Sequence, residues 1–146
     1  MADVGWTHVA LPVTDLDASI AFYAKYAKMQ VVHRRQRSDA NGRDVAWLSD
    51  MTRPFVLVLA EVERVDRPLG PFAHLGVACA DREEVDRLCG EARRCGCLRD
   101  EPVQSDGPVG YLANLDDPDG HTLELSFGQE TGLAVERAKD LSKIKR

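Results

Sequence analysis

The chain contains two copies of one pattern, and this duplication limits the folds that it can adopt. HVALPVTDLDASIAFYAKYAKMQVV opens the first half of the sequence, and HLGVACADREEVDRLCGEARRCGCL opens the second half. His8 aligns with His74 and Asp15 aligns with Asp81, and both pairs are 66 residues apart (74 − 8 and 81 − 15). A repeat of this length predicts two copies of one small structural unit that share a core.

Each half of the sequence predicts a βαβββ module. A short apolar strand headed by histidine leads to an aspartate that can cap a helix. Three strand-like segments follow each helix, and turn signals at Asn41–Gly42, Gly107–Pro108 and DDPDG separate several of them. The fold class predicted from this order is α+β, with two mixed sheets. The apolar residues at helical spacing are Leu16, Ile20, Tyr23 and Ala27 in the first half, and Val85, Leu88, Cys89, Ala92 and Cys95 in the second half.

The same pattern predicts the domain boundaries. Residues 1–62 form the first module and residues 72–128 form the second. Residues 63–71, ERVDRPLGP, form a linker, because they contain two prolines and no periodicity. Residues 129–146 form a C-terminal tail that covers the cleft, extends a dimer contact or stays mobile. The tail is predicted to form a helix, because apolar residues recur in it at helical spacing at Leu133, Ala134, Ala138 and Leu141.

Composition excludes several classes of protein. The net charge is −5, and the basic residues form no stripe with aromatic residues, so we expect no nucleic-acid partner. No apolar run reaches membrane-spanning length and no signal peptide is visible, which favours a cytoplasmic protein without a membrane partner. The four cysteines lack zinc spacing, and we expect free thiols, with Cys89 and Cys95 buried on the apolar stripe of a helix.

Three side chains are candidate metal ligands. If the apolar residues of each strand pack on the helices, as Leu123, Leu125 and Phe127 do in the last strand, then His8, His74 and Glu124 lie on the opposite face of their strands. A lone histidine or glutamate in a strand is more often hydrogen-bonded or solvated than a ligand. Their matching positions in a duplicated frame favour one divalent metal ion, such as Fe, Mn, Zn or Ni. Three protein ligands leave coordination positions for water or substrate.

The sequence resembles the vicinal oxygen chelate superfamily, which includes glyoxalase I, extradiol dioxygenases, fosfomycin-resistance enzymes and bleomycin-resistance proteins. The resemblance covers residues of about 6 to 128 and rests above all on DDPDGHTLELSF. It implies a U-shaped metal-binding cleft whose ligands come from the first and last strands of the modules, which matches His8, His74 and Glu124. The family's fourth ligand position falls on Val58, or on Val56 in a competing register, and Glu61 lies past it.

The missing fourth carboxylate disfavours a glyoxalase I reaction, and the lack of Lys and Arg at positions 100 to 120 disfavours a phosphonate site. A metal-dependent enzyme that acts on a small substrate with vicinal oxygens fits best, with an extradiol-type dioxygenase slightly favoured. A metal-assisted lyase or isomerase and a metal-free drug-sequestering protein are the alternatives. His33 and Tyr111 are candidate proton shuttles, and Trp47 and Phe55 are candidate cleft walls. We expect a homodimer, with modules paired within one chain or across two.

Overall fold

The computed structural model describes residues 2–36 and 42–144. Its helices and strands follow the predicted order in both halves, and a short 3-10 turn at Gly107–Val109 precedes the seventh strand. In chain order the elements are β1 (His8–Val13), α1 (Leu16–Ala27), β2 (Gln30–Arg35), β3 (Val45–Ser49), β4 (Val56–Glu61), β5 (Leu75–Ala78), α2 (Arg82–Cys95), β6 (Leu98–Ser105), β7 (Gly110–Asp116), β8 (Thr122–Phe127) and α3 (Thr131–Ile144).

The strands form two four-stranded mixed sheets with the same order. The first sheet has the order β1-β4-β3-β2 and the second has β5-β8-β7-β6. In each sheet the first strand pairs in parallel with the last, and the other pairs are antiparallel. The α+β prediction of two βαβββ modules is therefore confirmed. The predicted turn at Asn41–Gly42 lies partly outside the described residues, because these resume at position 42.

Both module helices begin where the repeat predicts. The Asp15 side chain accepts a hydrogen bond from the backbone N–H of Ala18 at 2.9 Å, and Asp81 accepts one from Glu84 at 2.7 Å. Each aspartate satisfies an N–H group that has no partner within its helix. The α2 helix ends at Gly96, whose φ of 75° is the left-handed conformation that favours glycine.

The two helices and one face of each sheet form a single core. The α1 helix buries Leu16, Tyr23 and Ala27, as predicted, and leaves Ile20 half-buried. Two packing predictions are wrong. Cys95 is exposed because it ends α2 on the turn beside Gly96, and Phe127 is exposed because it is the last residue of β8. The α2 side of this core consists of Val85, Leu88, Cys89 and Ala92.

The modules lie side by side along a polar seam. The buried Asp117, in the DDPDG turn of the second module, accepts a hydrogen bond from the Tyr23 hydroxyl of α1 at 2.8 Å. The Thr14 hydroxyl, at the end of β1, donates to Asp119 of the same turn at 2.6 Å. The buried His121 accepts from the backbone N–H of Leu69 at 2.8 Å, so its other nitrogen is protonated and donates to the Pro12 carbonyl at 2.7 Å. These bonds fix the linker and join both modules.

The tail forms the predicted helix, α3, and none of its described side chains is buried. Leu133, Val135, Leu141 and Ile144 are exposed apolar residues of this helix. Within the described residues, no helix has both the length and the apolar character that a membrane crossing requires.

Candidate metal centre

The strand register identifies equivalent positions in the two modules. Val58 of β4 pairs with Ala10 of β1, and Glu124 of β8 pairs with Gly76 of β5. Both pairs differ by 66 residues (124 − 58 and 76 − 10), which is the offset of the repeat. Val58 is therefore the counterpart of Glu124, and Val56, which pairs with His8, is not. The first module presents an apolar side chain where the second presents a carboxylate.

Glu124 is directed at a histidine and is not a solvated surface charge. Only 8% of the residue is exposed. Its Oε2 lies 3.4 Å from Nε2 of His74, and its Oε1 accepts a hydrogen bond from Nε2 of Gln129 at 2.8 Å. Gln129 follows the last strand and holds the carboxylate from one side. No periodic pattern in the sequence pointed to it, because it lies between β8 and α3.

The hydrogen bonds of His74 prepare its Nε2 for a cation. Nδ1 lies 2.6 Å from the carbonyl oxygen of Phe72, which only accepts hydrogen bonds, so Nδ1 carries a proton. The lone pair of Nε2 then faces Oε2 of Glu124, and both atoms are available to a cation placed between them. Two ligands bound at about 2.1 Å lie about 3.0–3.5 Å apart when they subtend about 90–110°. The observed 3.4 Å fits that arrangement, so these residues fit a divalent metal ion.

His8 lies on the open concave face of the first sheet. Its Nδ1 is 3.0 Å from the hydroxyl of Thr7, and the residue is exposed. It lines a cavity of about 730 Å³ on this face, together with Trp47 and Val58. Within one chain, the described residues contain no group of three His, Cys, Asp or Glu side chains able to hold a metal. The chain therefore brings His74 and Glu124 together and leaves His8 outside that pair.

Glu61 and Tyr111 lie on the helix side of their sheets and face away from the concave surfaces. Glu61 accepts a hydrogen bond from the backbone N–H of Leu16 at 3.0 Å and so caps α1. The Tyr111 hydroxyl donates to Asp86 of α2 at 2.5 Å, and Arg82 stacks on its ring. This bond to a carboxylate is the main cause that raises the pKa of Tyr111. Tyr111 is on the helix side of its sheet, so it is not a candidate for the cleft.

His33, the other proton-shuttle candidate, lies on the concave side. It pairs with Trp47 across β2 and β3, and the two rings are 4.9 Å apart. Trp47 in turn pairs with Val58, so His33, Trp47 and Val58 form one row across the sheet. In the second module the matching row runs from Glu124 through Asn114 to Asp100, and Asn114 donates to Asp100 at 3.1 Å. One concave face is aromatic and the other is polar.

The chain is built from two βαβββ modules, and each module has a candidate histidine ligand at the start of its first strand. The sequence profile described as the Glyoxalase/Bleomycin resistance protein/Dioxygenase superfamily matches residues 5–125. The chain belongs to this superfamily. An uncharacterised protein of Pseudomonas aeruginosa is 39% identical over 134 residues, which cover 86% of this chain and 90% of that protein.

Solved structures show the same fold. The fosfomycin resistance protein FosX of Listeria monocytogenes, in complex with Mn(II) and 1S,2S-dihydroxypropylphosphonic acid, has a TM-score of 0.65 at 18% identity, covering 86% of this chain and 93% of that one. The trypanothione-dependent glyoxalase I of Leishmania major has a TM-score of 0.68 at 21% identity, covering 99% and 100%. A possible glyoxalase of Bacillus cereus has a TM-score of 0.60 at 25% identity, covering 85% and 99%.

Proposed function

We propose that the chain is a divalent-metal-dependent enzyme that acts on a small substrate with vicinal oxygen atoms. The observation that carries this proposal is the pair of Glu124 and His74, in which the buried carboxylate is held by Gln129 and lies 3.4 Å from the exposed imidazole, a spacing that fits two ligands of one cation. His8, the repeat counterpart of His74, is the third ligand. The FosX complex with Mn(II) supports a metal at such a site in this fold.

The metal site is shared between two copies of the chain in this proposal. The seam bonds hold the modules side by side, with His8 and the pair of His74 and Glu124 on separate open faces. A second copy that places its second module over the first sheet supplies the missing partner. Two-fold symmetry then generates two equal sites, each with His8 from one copy and His74 and Glu124 from the other.

Each residue has a defined task in the reaction. A bound metal would supply Lewis-acid activation of the two substrate oxygens. His8, His74 and Glu124 hold it, and the proton on Nδ1 of His74, donated to the Phe72 carbonyl, orients that ring. The apolar Val58 leaves a coordination position open, which favours extradiol-type ring cleavage over a reaction that needs a second metal-bound carboxylate as base. His33 moves a proton to or from a substrate that lies over Trp47.

A complementation experiment tests the shared site. His8→Ala and Glu124→Ala each remove one ligand, and each variant alone is expected to lose most of its bound metal while remaining folded. When the two variants are unfolded, mixed in equal amounts and refolded, half of the dimers are mixed and each contains one intact site. Metal content then recovers to about a quarter of the wild-type value. Full metal retention in Glu124→Ala overturns the ligand assignment, and no recovery in the mixture overturns the sharing.

The reaction class needs a second measurement. Wild-type protein loaded with Fe(II) under anaerobic conditions is mixed with catechols, and oxygen uptake is followed together with the absorbance of the ring-opened product. Oxygen uptake that occurs with wild-type protein and is lost in Glu124→Ala supports ring cleavage. If the metal binds without any oxygen uptake, a metal-assisted lyase or isomerase replaces it. If purified wild-type protein binds no divalent metal, the sequestering function of the bleomycin-resistance type replaces both.

A further inference from the structure

We infer that the substrate is an elongated anion with a flat unsaturated body, and that Arg35 binds its carboxylate. This inference rests on the proposed function for the position of the metal. It starts from the cavity of about 730 Å³ on the first sheet, which His8, Trp47 and Arg35 all line. His8 and Arg35 mark the two ends of that cavity, and Trp47 lies between them.

The register gives the distance between the backbone positions at the two ends of the cavity, part of which the side chains of His8 and Arg35 cover. Arg35 pairs with Val45, which pairs with Ala60, which pairs with Pro12 of β1. Arg35 is therefore three strands across and four residues along from His8. With strands about 4.8 Å apart and a rise of about 3.3 Å per residue, the two backbone positions are about 19 Å apart. A ligand that touches the metal and the guanidinium must extend along the cavity.

Besides His8, the charged side chains that line the cavity are Asp3, Arg35 and Arg53, and Arg53 lies 3.6 Å from Asp50, so an anion is expected at Arg35. Within residues 2–36 and 42–144, no carboxylate forms an ion pair with Arg35, whereas the neighbouring Arg34 pairs with Asp17 at 2.9 Å on the helix side. Guanidinium groups bind carboxylates through two parallel hydrogen bonds. The second module presents Asp100 and Asn114 on its own row and no cation from position 100 to position 120. The positive end of the substrate site therefore belongs to the first module.

The floor of the cavity specifies a flat body. Trp47 is 43% exposed although it lies in the middle strand β3, and the His33 ring packs beside it at 4.9 Å with the two planes tilted by 57°. Val45, Val56 and Val58 extend this apolar floor. Aromatic rings bind flat, unsaturated groups by offset stacking. The chemical class that satisfies all three features is an aromatic carboxylic acid whose vicinal oxygens lie at the end opposite the carboxylate.

The test compares two probes on the full chain by isothermal titration calorimetry at low ionic strength. Biphenylcarboxylate and the neutral biphenylcarboxamide have the same shape and differ in charge. Wild-type protein is expected to bind the carboxylate about tenfold more tightly, because one charge-assisted contact at an exposed site contributes at the low end of its range. Arg35→Gln removes this preference. Arg34→Gln, the matched control on the same strand, keeps it.

Three results overturn the inference. They are equal binding of both probes by wild-type protein, an unchanged preference in Arg35→Gln, and loss of the preference in Arg53→Gln instead, since Arg53 also lines the cavity. Trp47→Leu is expected to weaken both probes about equally and to leave their ratio unchanged. A bound divalent metal would itself favour the carboxylate, so both titrations are done with EDTA present and report the contribution of Arg35. Whether the proposed metal centre exists is tested separately, by measuring the metal content of the purified protein.

Discussion

The hydroxyl of Tyr23 offers a direct measure of how strongly the seam joins the two modules. Tyr23 is fully buried, and its hydroxyl donates to Oδ2 of Asp117 at 2.8 Å. The other oxygen of Asp117 accepts from the backbone N–H groups of Asp119 and His121 at 2.9 and 2.8 Å. Among the described residues no second donor reaches Oδ2. Replacing Tyr23 by Phe keeps the ring and leaves one oxygen of a buried carboxylate without a partner.

The expected cost follows from that geometry. A hydrogen bond to a charged group contributes about 1.5–3 kcal/mol, and a buried acceptor left without its donor loses that amount. Tyr23→Phe is therefore expected to lower the free energy of unfolding by about 2 kcal/mol. For a chain of this size the melting temperature falls by about 4–8 °C. Burial, and then the charge of Asp117, raises the pKa of Tyr23 far above its usual value, so the hydroxyl remains a donor throughout the pH range in which the protein is stable.

Tyr26→Phe is the matched control. Tyr26 lies on the same helix and is also buried, but its hydroxyl interacts with thiols, accepting a weak hydrogen bond from Cys97 at 3.7 Å and lying near Cys95. We expect a loss of less than about 0.5 kcal/mol, because a thiol is a weak hydrogen-bonding partner. Urea unfolding of both variants, followed by circular dichroism, gives the two values. Equal losses, or a loss below about 0.5 kcal/mol for Tyr23→Phe, refute the role of this bond in the seam.

Two further predictions concern the ligand position and the thiols. Val58→Glu restores a carboxylate at the counterpart of Glu124 and is expected to tighten metal binding at least about tenfold in a chelator competition; a larger gain in Val56→Glu would contradict the register. Burial raises the pKa of Cys79 and of Cys89 to about 11, so at pH 8 only about one thiol in a thousand is ionised, and a disulfide reagent should label the exposed Cys95 first. Because the folded state holds these protons more tightly than the unfolded chain, stability should fall as pH rises from about 9 to about 11, and a rise over that range would contradict the burial of the thiols.

The repeat predicted most of the fold because it constrains both halves at once. Equal offsets between His8 and His74, and between Asp15 and Asp81, predict the same order of elements twice, and the structure has that order. The match of Leu57–Val58–Leu59 to the LEL of the last strand favoured Val58 as the fourth position, and the strand register makes Val58 the repeat counterpart of Glu124. Such agreement is expected when local pattern and global fold point to the same answer.

Single residues near the ends of elements were harder to predict. Cys95 continues the apolar stripe of α2, but it is the last residue of the helix before the Gly96 cap and is exposed. Tyr111 was predicted in the cleft, although Tyr111, Ala113 and Leu115 share the apolar face of β7, which was the available signal for the helix side. The seam had no signal in the sequence, since its bonds join residues about a hundred positions apart.

The seam also bears on the proposed sharing of one metal site between two copies. With the modules joined in this way, Trp6 and Phe72 are exposed by 85% and 92%. These two aromatic residues are repeat counterparts (72 − 6 is again 66), and each lies two positions before a candidate histidine ligand. Large exposed apolar side chains beside an incomplete site are typical of an interface. In the proposed dimer, the second copy that completes the ligand set would also cover this end of both sheets, so we expect metal binding and burial of the two aromatic rings to favour the same arrangement.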